Sequence, residues 1–251
     1  MAHGSVEVMS THETALHGLG QERHRGPLRE GERVQIRDPK GRLHQVILVA
    51  GGRFQSNRGF IDHDDLIGRP DGQVITTEEG RQFQILRPLQ ADYVMSMPRG
   101  AAVVYPKDAG TIVHYADIFP GAVVVEAGAG SGALSMALLN AVGEKGTLIS
   151  VERREEFAEI ARDNVELWFG TSHPAWDLRV GDLAEELLRL PEASVDRIVL
   201  DMLAPWENLD AVAHALVPGG VLCCYIATVT QMSRLIEDLR ATQNFTEPLA
   251  W

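Results

Sequence analysis

Three glycines at alternate positions, Gly128, Gly130 and Gly132, close an apolar run in the stretch VVVEAGAGSGALSMALLNAV, residues 123–142. Glu126 stands just ahead of them, Ser131 lies between them, and Ala133 and Leu134 open a helix-like pattern behind them. Glycine lets a backbone approach a ligand closely, and the N–H groups that begin a helix point outward to meet it. The dinucleotide fingerprint spaces its glycines as G-x-G-x-x-G, and a Walker loop ends in Gly-Lys-Ser/Thr. Neither pattern is present here. A turn with no lysine and a carboxylate beside it is a poor seat for phosphate. It suits a ligand of little negative charge with a cationic end.

Three further acids fall where strands are expected to end. Glu152, in ISVERREE, comes about 20 residues after Gly132, the distance at which a carboxylate accepts both hydroxyls of a ribose. Asp182, followed by Leu183 in VGDLAEE, begins a helix. It either caps that helix or accepts a hydrogen bond from an adenine amine. Asp201 ends the strand of IVLDMLAPWENL. The plainer readings are a solvent-facing acid for Glu152 and a turn-capping acid for Asp201. A nucleoside with a positive, non-phosphate tail matches S-adenosylmethionine.

These acids need a scaffold that brings strand ends together. The second half of the chain alternates strictly. Strands are expected at Ala122–Glu126, Thr147–Val151, Asp177–Val180, Val195–Asp201 and Val221–Ile226. Helices are expected at Ala133–Val142, Arg154–Phe169, Leu183–Leu190, Trp206–Leu216 and Gln231–Thr242, with another over Lys107–Phe119 that Pro106 can begin. Such alternation predicts an α/β fold: a doubly wound, mostly parallel sheet that binds ligands at the carboxyl ends of its strands. Ahead of it, ERVQIRDPKGRLHQVILV and GQVITTEEGRQFQILRPL read as strand–turn–strand units, with turns at Asp38–Gly41 and near Glu79–Gly80. The expected organisation is a flexible N-terminus over residues 1–25, a small β-domain over 26–90, and the α/β domain over 91–251.

Hydrophobic content of 45% and charged content of 23% are ordinary for a globular chain of 251 residues. No apolar run reaches the roughly 18 residues of a membrane span, and no signal core opens the chain. Cys223 and Cys224 are adjacent, so they point apart on a strand, and no metal-ligand spacing exists. A cytoplasmic protein without a metal is the plain reading. The net charge of −12 argues against a nucleic-acid partner, but residues 1–100 hold about 13 basic and about 13 acidic side chains, so the excess acid lies in the second half. Arginine dominates the basic set of the first half. If that domain grips an RNA, Arg33, Arg37 and Arg42 are candidates.

The ordered set VVVEAGAGSG, Glu152, GDL at 181–183 and DMLAPW at 201–206 resembles the successive motifs of class I methyltransferases. Each motif is weak alone; the order is specific. DMLAPW, the segment DYVMSMPRGAAVVYPKD (92–108) and ATVTQMSRL (227–235) are similar to the tRNA N1-adenine methyltransferases that modify T-loop position 58. The resemblance covers roughly residues 30–251 and is closest to the bacterial branch. Members of that family continue past the point matching Trp251, so the final strands of a seven-stranded sheet are expected to be missing.

The resemblance implies a cofactor site of Val104, Tyr105, Pro106, Lys107, Glu126, Gly128, Gly130, Ser131, Gly132, Ala133, Leu134, Glu152, Arg153, Asp182, Leu183 and Asp201. Asp201 is the expected catalytic carboxylate, ionised near the usual value of about 3.9. It would accept a hydrogen bond from the adenine N6 amine and stabilise the charge that develops on the ring. Tyr105 would stack on the target base; on pattern alone it is core packing. Pro205 and Trp206 would shape the pocket wall, with plain helix-start packing as the alternative for Trp206. Asp108 reads as a first-turn helix acid, and His114 and His214 as structural. The implied partners are tRNA and further copies of the chain in a homotetramer. The competing readings are a class I methyltransferase of another substrate and a non-catalytic tRNA-binding paralogue.

Overall fold

The computed structural model describes residues 25–251. The segment 1–25 expected to be flexible lies, apart from Arg25, outside the described residues. The chain divides into two compact units. One runs to Ser96 and includes Phe169–Thr171; the other comprises Met97–Trp168 and Ser172–Trp251.

The first unit is antiparallel. Its strands are β1 (Arg33–Arg37), β2 (Leu43–Ile47), β3 (Arg53–Ser56), β4 (Gly59–Asp62), β5 (Val74–Thr76) and β6 (Gln82–Leu86), followed by helix α1 (Gln90–Ser96). One sheet has the order β2-β1-β6-β5, and β3 pairs with β4. Alternate residues point inward, so Val34, Ile36, Phe83 and Ile85 meet Leu28, Leu48, Phe54, Ile61 and Leu66 in one core. The β1–β2 turn forms because Asp38 Oδ1 accepts the backbone N–H of Lys40 at 2.8 Å and of Arg42 at 3.0 Å.

Asp38 also receives Arg42 Nε at 2.8 Å and Arg58 Nη1 at 3.0 Å. Burial pushes its carboxyl up, but the Arg42 guanidinium and the two backbone N–H groups outweigh that and hold it far below the usual range. Arg33 donates to Gln45 at 3.2 Å and lies over the Tyr93 ring. Two of the three candidate RNA-gripping arginines are therefore engaged inside this unit.

The second unit is the expected α/β sheet. Its elements are α2 (Pro106–Tyr115), β7 (Val123–Ala127), α3 (Ala133–Val142), β8 (Thr147–Glu152), α4 (Glu155–Phe169), β9 (Trp176–Val180), α5 (Leu183–Arg189), β10 (Val195–Asp201), α6 (Leu209–Ala215), β11 (Leu216–Tyr225) and α7 (Val229–Thr242). The five strands are parallel in the order β11-β10-β7-β8-β9. Val125, Ala127, Ile149, Val151, Ile198 and Leu200 turn one face of the sheet to α5 and α6. The intervening positions turn the other way, and Glu126 meets α3 through Ser135.

Most bounds shift by three residues or fewer, and two differ by four or more. Helix α2 ends at Tyr115 rather than Phe119, because Asp117 adopts a left-handed φ of 50°. Strand β11 begins five residues earlier than expected, at Leu216. Its register with β10 jumps from Val195↔Leu216 to Arg197↔Val221, so the Pro218-Gly219-Gly220 segment bulges within the strand.

Gly132 fixes how closely α3 and α4 pack. Its φ is +80°, and a Cβ there would lie 3.0 Å from Val165 Cγ2 and 3.1 Å from the Ala161 carbonyl oxygen. Gly132→Ala is expected to lower unfolding free energy by about 2 kcal/mol through left-handed strain and crowding together. Urea denaturation measures this, and an unchanged midpoint would contradict the packing role.

Candidate active site

The glycine turn is bound to the end of β8. Gly130 donates its N–H to Glu152 Oε2 at 3.0 Å, and Arg154 donates its N–H to Glu152 Oε1 at 3.1 Å. Glu152 is 5% exposed, so its position is fixed before any ligand arrives. Each of its oxygens keeps a lone pair for a further donor. A Cβ at Gly128 would come within 3.2 Å of Glu152 Oε2, so any side chain there would press this carboxylate aside by a few tenths of an ångström. The Gly128 N–H bonds the Asp201 carbonyl at 3.2 Å, which places the turn beside the end of β10.

A second set of bonds ties the turn to the segment before α2. Ser131 Oγ accepts the N–H groups of Gly100 and Ala101, at 3.2 and 3.4 Å. Asn164, buried on α4, donates to the carbonyls of both Pro98 and Ser131 at 2.9 Å. Sequence reasoning missed Asn164. An asparagine on the apolar side of a helix was the available signal, because a buried amide must find partners.

The remaining expected residues divide by exposure. Tyr105 precedes α2 at its N-cap and is 47% exposed, which excludes the core-packing alternative. Pro106 is the first residue of that helix, and Lys107 Nζ pairs with Asp108 Oδ1 at 2.6 Å. Asp182 is the N-cap of α5. Its Oδ1 accepts the Ala184 N–H at 3.0 Å, and Oδ2 takes Arg153 Nη2 at 2.8 Å. The capping role is thus realised, and Arg153 reaches the site through Asp182.

The side chains of Val104, Ala133, Leu134 and Leu183 are buried. Leu183 packs in the sheet core with Leu187 and Ile149, so these four can offer a ligand their backbone only. His214 Nε2 lies 3.2 Å from the Leu190 carbonyl, consistent with a structural role.

Glu126 lies deeper than a ligand contact requires. It is fully buried, and its Oε2 accepts the hydroxyls of Ser135 and Ser150 at 2.6 Å each. Ser150 Oγ in turn accepts Trp176 Nε1 at 2.9 Å. The carboxyl is a buried node between β7, β8, β9 and α3. Burial pushes its pKa up to about 7, against the pull of the two serine hydroxyls.

Asp201 is half-buried, and among the described residues no side chain or N–H donates to its carboxyl. Burial alone lifts it to about 6, in place of the ordinary value expected from the sequence. On the adjacent strand Tyr225 sits in register with Asp201, and its hydroxyl donates to Asp108 Oδ2 at 3.1 Å. Tyr225 was also missed by sequence reasoning, although it ends the strand next to that of Asp201.

Glu126 makes stability depend on pH in a defined direction. Its folded pKa of about 7 stands above the ordinary 4.5. The stabilisation that comes with protonation is complete below pH 4.5 and is lost as pH rises through about 7. Asp201 acts in the same direction over a lower range. Thermal unfolding of the ligand-free protein is expected to show a Tm that falls from about pH 5 to about pH 8, by the equivalent of roughly 4 kcal/mol at most, the larger part from Glu126. Glu126→Gln should flatten most of that slope. Equal slopes in the two proteins would show that Glu126 is ionised throughout.

Residues 26–75 match the TrmI-like N-terminal family, and residues 83–248 match the family described as tRNA methyltransferase complex GCD14 subunit. The chain is 36% identical to the tRNA (adenine(58)-N(1))-methyltransferase TrmI of Thermus thermophilus, over 82% of this chain and 79% of that protein. It is 30% identical to the tRNA (adenine(57)-N(1)/adenine(58)-N(1))-methyltransferase TrmI of Methanocaldococcus jannaschii, over 75% of this chain and 73% of that one. Among solved structures, a SAM-dependent O-methyltransferase from Thermotoga maritima superposes with a TM-score of 0.79 at 30% identity, covering 88% of this chain and 81% of that one. The tRNA (m1A58) methyltransferase TrmI from Aquifex aeolicus shares the fold, with a TM-score of 0.75 at 24% identity, covering 86% of this chain and 83% of that one. Two family matches in chain order and this level of identity, set on a glycine turn bonded to a strand-end glutamate, place the chain in the tRNA (adenine(58)-N(1))-methyltransferase family.

Proposed function

We propose that this chain binds S-adenosylmethionine at the glycine turn and transfers its methyl group to N1 of adenine 58 in the T-loop of tRNA, the position named for its Thermus relative. The observation that carries the reading is Asp201. It is a half-buried carboxylate, without a donor among the described residues, beside the glycine turn. Such a group has already lost much of its hydration, and a donor supplied by substrate would meet a strong acceptor.

The residues present fit the cofactor. Gly128, Gly130 and Gly132 leave the backbone open, and a side chain at Gly128 would press on Glu152. Glu152 keeps acceptor capacity for two ribose hydroxyls, and Asp182 stands at the next strand end for an adenine amine. When bound, the cofactor supplies an electrophilic methyl on a sulfonium. The chain supplies the rest. Asp201 accepts a hydrogen bond from the N6 amine and stabilises the positive charge that develops on the ring as N1 reacts. Adenine N1 carries a free lone pair, so alignment, and not removal of a proton from N1, is what the protein must provide. The exposed ring of Tyr105 offers a stacking surface for a base taken out of the T-loop, at a cost of a few kcal/mol. Assembly as a homotetramer and a cytoplasmic location belong to the same reading.

The two carboxylates should separate experimentally. Glu152→Ala is expected to weaken cofactor binding by calorimetry at least tenfold. Asp201→Ala should leave that affinity within about threefold but cut single-turnover methyl transfer by about 10²-fold. The wild-type rate should also fall as pH drops below about 6, where Asp201 takes up its proton, and Asp201→Asn should lose that limb. A near-normal rate in Asp201→Ala would remove it from the reaction.

A further inference from the structure

Tyr225 ends β11 directly opposite Asp201 of β10. Its hydroxyl has one proton, and that proton is committed: it is donated to Asp108 Oδ2 at 3.1 Å, across 117 residues of sequence. Asp108 cannot return a donor while it is ionised, and its ionisation is secured. Lys107 Nζ, 2.6 Å from Oδ1, holds its carboxyl below the usual range, against burial and with help from the Tyr225 hydroxyl. The first turn of α2 favours negative charge as well. Burial and the neighbouring Asp108 push the Tyr225 phenol up, so it keeps its proton. What the phenol oxygen can still offer a ligand is lone pairs alone.

Two groups at neighbouring strand ends are thus acceptors only: the Asp201 carboxylate and the Tyr225 oxygen. An exocyclic amine on a purine carries two N–H donors. A carbonyl in the same place would face two acceptors with none of its own demands met.

On the reading that the substrate is an adenine in RNA, we propose that Asp108 is a positioning residue which, by taking the Tyr225 proton, makes the target pocket select the 6-amino group through paired acceptors at Tyr225 and Asp201. Sites built to hydrogen-bond a substrate group reject analogues that lack it far more strongly than apolar pockets reject a missing methylene.

The test uses tRNA assembled by ligation with adenine, N6-methyladenine or unsubstituted purine at the target position. These bases offer two, one and no N–H donors. Wild-type kcat/KM is expected to fall about tenfold with each donor lost. Tyr225→Phe should lose about tenfold on adenine and treat adenine and N6-methyladenine within about twofold of each other. Asp108→Ala should narrow the same ratio with cofactor affinity unchanged. Asp108→Asn, whose amide oxygen still accepts, should restore most of the preference. If Tyr225→Phe keeps the wild-type ratio, the methyl is excluded by shape and the proposal fails. If the wild-type protein does not methylate the adenine tRNA at all, the functional reading fails, and this inference with it.

Discussion

One hydrogen bond organises this site: the Gly130 N–H to Glu152 Oε2, at 3.0 Å. It joins the turn after β7 to the end of β8, so the two features that would recognise a nucleoside are set by each other rather than by separate loops. It also explains why glycine stands at 128, where a Cβ would crowd the same oxygen. Around this bond the chain has removed slack. Ser131 and Asn164 hold the turn to the 98–101 segment, and Gly132 lets α4 close against it. A pre-positioned site loses little conformational entropy on binding.

The same construction concentrates negative charge in a dry place. Glu126, Glu152 and Asp201 lie at the carboxyl ends of three neighbouring strands, and the first and last are lifted toward neutrality by burial. These groups serve different ends. Glu126 is wholly enclosed and braced by two serines, so it is a structural node. Asp201 is only part-buried and, among the described residues, without a donor. Carboxylates with such lifted pKa values weaken the ligand-free fold near neutral pH, and a cationic ligand relieves that strain.

Much of this was legible in the sequence, for physical reasons that differ by element. The parallel sheet was visible because buried strands are continuous apolar runs, and Ala133–Val142 and Val195–Asp201 have the expected bounds. The glycine spacing and Glu152 were legible because they are local signals. Depth was not: nothing in VVVEAGAG distinguishes an acid that meets a ligand from one that meets two serines, since Ser135 and Ser150 come from other elements. The Asp108–Tyr225 bond spans the chain, and strand order is what brings it about. The pairing of the arginines in the first unit was hidden for a related reason. A row of cations in sequence says nothing about the carboxylates folded against them, and Asp38 gathers two.

The central claim is that this turn, this glutamate and this aspartate direct a methyl group to the Watson–Crick edge of one adenine in a folded RNA. The most direct measurement incubates the protein with an unmodified tRNA transcript and isotopically labelled S-adenosylmethionine, then maps the label by nuclease digestion, mass spectrometry and primer extension. The account predicts N1-methyladenosine at position 58, with a reverse-transcription stop at that site. A label on another base or another atom, or tRNA that stays unlabelled while the protein binds the cofactor, would contradict it.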